Sequence, residues 1–298
     1  MNSENMEHPE KIFGSAFVNE LIKKLSGLIL KGNSDQVRLP SFECLTHLLV
    51  ASPPELMARI EDFVKHMMQM LEDANPLIRQ RIYAFMLALV QMRKDVVVAS
   101  SDVIFPKMSK CLRDPDVSAR RACLMFFWDY LTVQSDSESS QIIQLLIPYL
   151  EDMMPEFVKN AVLSAEDKQN LQMQVTAFID RNAVYEKGMQ EDEEEENMFD
   201  DHEDDETDEL EAQGSYTLRK IALRCIVKVF EFLGNPAFSF VKSILEQMFA
   251  SSDVLVLEAG ICVLGSIGNS CFSEIKPTLG KLLTHVMQCA ASADEYLK

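Results

Sequence analysis

An all-α fold, built as a right-handed superhelical solenoid of stacked helix pairs, is what this sequence predicts. Three observations point to it. Apolar residues recur at helical spacing through most of the 298 residues. The helices come in pairs with a repeat near 40 residues: the starts of the second helices align as Val37-Arg38, Ile78-Arg79 and Val117-Ser118, at spacings of 41 and 39. The same signature returns as Leu218-Arg219 and Leu255-Val256, 37 residues apart, beyond an acidic stretch that interrupts the pattern. Two helices per unit with this period are the signature of HEAT or armadillo repeats, in which each unit buries its apolar face only against its neighbours.

The elements follow in order. Phe13 to Leu30 reads as an amphipathic helix with Phe17, Leu21, Leu25 and Leu28 on its apolar stripe, and Gly32-Asn33-Ser34-Asp35 stops it and supplies a new cap. A second helix runs from about Gln36 to Val50 and ends at Ser52-Pro53-Pro54. The next pair carries Leu56, Ile60, Phe63, Val64, Met67 and Leu71 on one face, breaks at Asp73-Ala74-Asn75-Pro76, and resumes with Ile78, Ile82, Phe85, Met86 and Leu89. A third pair spans about Val96 to Leu112 and Asp116 to Val133. A further first helix is expected from about Ser140 to Ala165, its partner resumes near Tyr216, and a last helix runs from about Phe272 to Ala291 without a partner. The Asp or Asn before each second helix (Asp35, Asn75, Asp116, Asp253) is placed to cap it, and the arginine that follows is placed to reach an acid of the adjacent repeat.

From Val117 to Leu218 is 101 residues, about 60 more than one repeat, so the fourth unit is split by an insertion. Within it lie Glu191, Asp192, Glu193, Glu194, Glu195, Glu196, Asp200, Asp201, Glu203, Asp204, Asp205, Glu206, Asp208, Glu209 and Glu211: fifteen acids in 21 residues, with no Lys or Arg. Mutual repulsion and the lack of apolar periodicity predict a long acidic disordered loop. The organisation expected is a polar lead-in at 1–12, HEAT repeats over 13–165, the insertion over 166–214, and continuing repeats over 215–298 with the last one incomplete. Array ends without caps predict self-association.

Charge narrows the partners. Of the net −19, the acidic run accounts for fifteen charges and leaves about −4 for the rest. No basic stripe for displacing phosphate counterions is evident, so nucleic acid is not the expected partner; a basic protein meeting the acidic run is. The first ten residues have no apolar signal core, and no window approaches a membrane span. No nucleophile elbow, phosphate-binding glycine loop or dinucleotide fingerprint is present, and the five histidines show no metal spacing, so neither an enzyme nor a cofactor is expected. The stretch Asp200 to Glu211 imitates a calcium loop but has Asp205 where that loop needs glycine. The seven scattered cysteines read as reduced core thiols, the methionines (Met67, Met68, Met70, Met153, Met154) as core filling, and Trp128 as packed between helices.

Particular segments carry a family resemblance. Tyr216-Thr217-Leu218-Arg219-Lys220 directly after an acidic loop resembles the karyopherin-β2, or transportin, family of nuclear import receptors. So do Val254 to Ile267, Ile275-Lys276-Pro277, Leu282 to Cys289 and, upstream, Arg121 to Trp128. The resemblance runs roughly from Val18 to Ser292 and covers only the middle of such a receptor. It implies a shuttling protein of cytoplasm and nucleus that binds Ran GTPase in its GTP form, basic cargo bearing nuclear localisation signals, and nucleoporins. In that family the acidic loop couples Ran binding to cargo release, which points to Glu191–Glu211 as a group, with Arg219 and Glu258 as concave-face contacts. The other readings of the same residues are a HEAT scaffold or regulatory subunit, and an acidic histone-type chaperone with no dependence on Ran.

Overall fold

The computed structural model of the chain describes residues 14–30, 32–132, 139–163 and 218–278, together with 280, 284 and 287. Five helix pairs follow one another in it. The first is α1 (Ser15–Leu28) with α2 (Asp35–Ala51). In the second, the leading helix is broken into α3 (Pro54–Met57) and α4 (Ile60–Met70), and α5 (Pro76–Met92) is its partner. The third pairs α6 (Lys94–Ala99) and α7 (Ser101–Cys111) with α8 (Val117–Thr132). The fourth joins α9 (Ser139–Asn160) to α10 (Leu218–Leu233), and the fifth is α11 (Phe238–Phe249) with α12 (Val254–Ile267), followed by the short α13 (Phe272–Ile275). Helices account for the regular structure of the described residues, and no strand occurs among them.

The second helices form a continuous row, α2–α5–α8–α10–α12, each packed on the next, while the first helices form a parallel row outside it. From α2 through α10, neighbours in the second row share much more of their length than neighbours in the first. That difference curves the array and puts the second row on its inner, concave side.

The expected core is found where the spacing put it. Leu56, Val64 and Met67 on the second pair's first helix, and Ile78, Ile82, Phe85, Met86 and Leu89 on α5, are fully buried. An edge-to-face aromatic set ties the third pair to the fourth: Phe105 lies 5.8 Å from Tyr149, and Phe127 lies 5.8 Å from Phe157, while Phe105 also meets Tyr130 of its own pair at 5.0 Å. Met67, Met68, Met153 and Met154 fill core gaps, and Met70 packs partly against them.

Several details differ from the sequence reading. In α1 the buried stripe is Val18, Ile22, Leu25 and Ile29, whereas Phe17 is 52% exposed and Leu28 is 38% exposed. Both stripes are apolar at i, i+4 spacing, and contact with α2 and α3 selects the one rotated by a residue. The leading helices of the second and third pairs are each broken once, at Ala58-Arg59 and at Ser100. Of the expected last helix, Phe272 to Ala291, the described part opens as the four-residue α13 and tightens into a 3-10 turn at Lys276–Thr278; Gly280, Thr284 and Met287 are helical, and the remainder lies outside the described residues. Ser52, with φ of 50°, ends α2 in the left-handed region, and Pro53-Pro54 then restarts the chain as α3.

Candidate interaction surface

The insertion begins and ends on one helix pair. α9 closes at Asn160, α10 opens at Leu218, and the two pack against each other as the fourth unit. α10 also packs on α8, so the second row passes the insertion without a gap. All fifteen acids from Glu191 to Glu211 lie outside the described residues, as do Tyr216, Thr217 and Cys289.

Across the loops between paired helices runs a ladder of arginines and acids. Arg38 on α2 donates Nη2 to Asp73 of the next repeat and Nη1 to Asp35 at 3.1 Å. Arg79 on α5 makes a two-pronged pair with Asp114, Nε–Oδ2 2.6 Å and Nη2–Oδ1 2.7 Å, while its Nη1 donates to the carbonyl of Asp73 at 2.7 Å. Arg120 on α8 donates Nη1 to the carbonyl of Asp114 at 2.6 Å and Nε to Asn160 Oδ1 at 3.0 Å. Each aspartate also turns its own loop, accepting from the N–H two residues on: Asn75 at 3.0 Å and Asp116 at 2.9 Å. Burial works against the charge on Arg38, but Asp73 and Asp35 outweigh it and push its pKa up. Burial alone would raise Asp114, yet Arg79 and the Asp116 N–H hold it below the usual carboxylate range.

This ladder corrects the sequence alignment at one point. The third-repeat equivalent of Arg38 and Arg79 is Arg120, which restores a spacing of 41 and moves the register two residues past Val117-Ser118. The expected caps hold for Asn75 and Asp253, which accept from Leu77 and Leu255 at 2.9 Å each, and for Asp116, which accepts from Ala119 at 2.7 Å. Asp35 does not cap. It is already helical, and its carboxylate takes Asn75 Nδ2 at 2.7 Å and Arg38 instead. At the split repeat the aspartate of the ladder is replaced by Asn160, a change no periodicity signals.

Arg219 and Glu258, expected as concave-face contacts, face each other across α10 and α12 as an ion pair on the second row. Cys262 shares the clasp, its sulfur 2.7 Å from Arg219 Nη2 and 3.2 Å from Glu258 Oε1. One turn along α10, the Arg224 guanidinium sits 5.6 Å from the centroid of the half-buried Trp128 ring. Cys111, Cys123, Cys225 and Cys271 are buried free thiols; burial pushes the Cys111 thiol up to about 11, so it stays protonated at neutral pH. Cys44 is exposed. On the outer row, an apolar groove of about 320 Å³ opens between α1 and α4 over Ile29, Phe63 and Met70. Another of about 380 Å³ opens between α9, α11 and α12 over Val158 and Met248. Among the described residues no cluster of side chains could hold a metal ion, and no helix is long and apolar enough to cross a membrane.

Stacked pairs, an inner row of second helices and an interlocking loop ladder define a HEAT-type repeat solenoid, a class that works by presenting long surfaces to protein partners. Residues 13–165, just over half of the chain, match the Cnd1 family, described as non-SMC mitotic condensation complex subunit 1, and the chain belongs to that family. The transportin resemblance holds as well. Mouse Transportin-1 is 23% identical over 272 residues, which cover 87% of this chain and 29% of that protein. Two solved structures share the fold: a Kap95:Nup1 complex (TM-score 0.65, 12% identity, 95% of this chain and 29% of the other) and importin β (0.64, 11%, 94% and 29%). The chain spans about 29% of the length of these relatives.

Proposed function

We propose that the chain is a segment of a nuclear transport receptor, in which the acidic run Glu191–Glu211 couples binding of GTP-loaded Ran to release of basic cargo carrying a nuclear localisation signal. The observation that carries this reading is the packing of α9 on α10 as one repeat although residues 164–217 separate them. Fifteen acids are thereby tethered at both ends to a single unit of a solenoid similar to Transportin-1 over 87% of its length. Tethering raises the local concentration of negative charge beside the inner row, where it competes for basic segments. The fold neighbour solved as a Kap95:Nup1 complex supports nucleoporins as further partners, and with them a location shared between cytoplasm and nucleus. The reaction is one of exchange between ligands, with no chemical step.

The test is binding to Ran-GTP and to Ran-GDP by the intact chain and by a chain lacking residues 190–212. A GTP preference that weakens on deletion is the expected result. Equal binding in both nucleotide states, or none, would remove the transport reading. A second reading is favoured by the family match over residues 13–165: a scaffold subunit of a multiprotein complex. It expects Ran to be without effect, and a stoichiometric protein partner to survive the deletion.

A further inference from the structure

Three boundaries of the array are each tied both at the loops and on the inner face. On the loop side Arg38 reaches Asp73, Arg79 reaches Asp114 and Arg120 reaches Asn160, each in the next unit. On the inner face Arg81 pairs with Glu43, Gln91 donates to Asp129, and the Arg224 guanidinium lies beside the Trp128 ring. The fourth boundary is built differently. Each ladder arginine stands three residues before a buried position (Ser41, Ile82, Cys123), and Arg219 stands three before the buried Ala222, so it is the next of the series. It leaves the loop and reaches across to Glu258 and Cys262 on α12. Asp253, the acid of that loop, turns its carboxylate to the Leu255 N–H of its own helix.

Packing changes at the same place. α10 and α12 share far less of their length than earlier neighbours in the second row, and less than α9 and α11 share outside them. The groove of about 380 Å³ between α9, α11 and α12 leaves this boundary loosely filled. The inner tie is itself incomplete: Glu258 Oε2 is buried with no hydrogen-bond partner, a cost that parting the helices relieves by admitting water. From these observations we infer that the boundary between the fourth and fifth units is a joint, at which α11–α13 swing against α1–α10, and that Arg219, Glu258 and Cys262 form the latch that holds its inner side closed. α9 and α11 stay in contact as the pivot while α10 and α12 part. The insertion is anchored on α9 and α10, so it keeps its place on the larger body while the fifth unit moves. The joint goes beyond the function proposed above and does not depend on Ran.

Distances between paired spin labels, carried on non-natural residues in the intact chain, test this directly. One pair, at the exposed Glu231 and Ser266, spans the joint; a second, at the exposed His47 and Met92, spans the first boundary. Arg219→Gln is expected to move the 231–266 distribution to longer distance and to broaden it about twofold, with the 47–92 distribution and the helical circular dichroism unchanged. Arg81→Gln, which removes the inner tie of the first boundary, is expected to leave the 47–92 distribution as it was, because Arg38 still holds Asp73. Should Arg219→Gln misfold, Glu258→Gln keeps the shape of the latch and removes its charge, and is expected to move the 231–266 pair in the same direction by less. The inference is overturned if the latch variants leave the 231–266 distribution unaltered, or if both label pairs broaden alike when Arg219 is replaced. It is also overturned if Arg81→Gln loosens the first boundary as much as Arg219→Gln loosens the fourth.

Discussion

Arg79 closes on Asp114 with two parallel hydrogen bonds across the boundary between the second and third repeats, and both side chains are nearly withdrawn from water. The planar fork of the guanidinium matches the carboxylate in a way an ammonium does not. The pair sits under Tyr83, whose hydroxyl approaches Asp114 Oδ2 at 3.5 Å.

Breaking this pair strands a buried charge. Asp114→Ala leaves Arg79 without its acid and also removes the acceptor for the Asp116 N–H. The expected loss is about 3–5 kcal/mol, read as a lower denaturant midpoint. Arg79→Lys keeps the charge but forfeits one prong, and is expected to recover only part of it.

The same pair makes stability depend on acid. Asp114 titrates below its ordinary 3.8 in the folded chain, so the unfolded chain takes up its proton first. The stabilisation is whole above the unfolded value and is lost as pH falls through the folded one. The thermal midpoint is expected to be level from neutrality down to mild acid and to fall below about pH 4. Asp114→Asn should flatten that fall; an unchanged acid slope in the variant would assign it to other carboxylates.

Asn160 offers a sharper case. Its Oδ1 accepts from Arg120, and its Nδ2 donates to the carbonyls of Leu112 and Glu156 at 3.0 and 2.8 Å. Asn160→Asp supplies the acid that the other rungs have, yet it turns a donor into a carboxylate oxygen facing two carbonyls. The lost donor outweighs the gained ion pair, and the variant is expected to be less stable by about 1–2 kcal/mol. A rise in the unfolding midpoint would show that the charge pair dominates.

Gly260 lets α11 and α12 approach closely. A Cβ built there would lie 3.2 Å from Met248 Cβ and 3.6 Å from the Phe249 ring. Gly260→Leu forces the helices apart and is expected to cost about 1–3 kcal/mol or more. The loss should appear as early hydrogen exchange in α11 and α12, with α2 and α5 unaffected.

What the sequence disclosed follows from which forces are local. Helical spacing and a 40-residue period are written in neighbours along the chain, and they located α5 and its buried face from Ile78 to Leu89 without error. The inner stripe of α1 was misread by one residue because Phe17 and Val18 are both apolar and only the packing of the next helices separates them. The breaks at Ala58-Arg59 and Ser100 have no proline or glycine at the break to announce them. Of the candidate site, Arg219 and Glu258 were found on the inner row, but their mutual pairing, 39 residues apart, depends on two helices lying side by side. The replacement of an aspartate by Asn160 was hidden for the same reason: nothing near it in sequence says that it answers Arg120.

Asp73 and Asp114 each hold one arginine by the carboxylate and another by the backbone carbonyl, the first from the repeat before and the second from their own. The tilt at one boundary is therefore geared to the tilt at the next through a single residue. Such an array flexes as a leaf spring does, sharing a bend among its leaves instead of folding at one hinge. A partner too wide for the resting curvature is met by a small opening at every rung, and the stiffness of that opening is set in the loops, well away from the surface the partner touches.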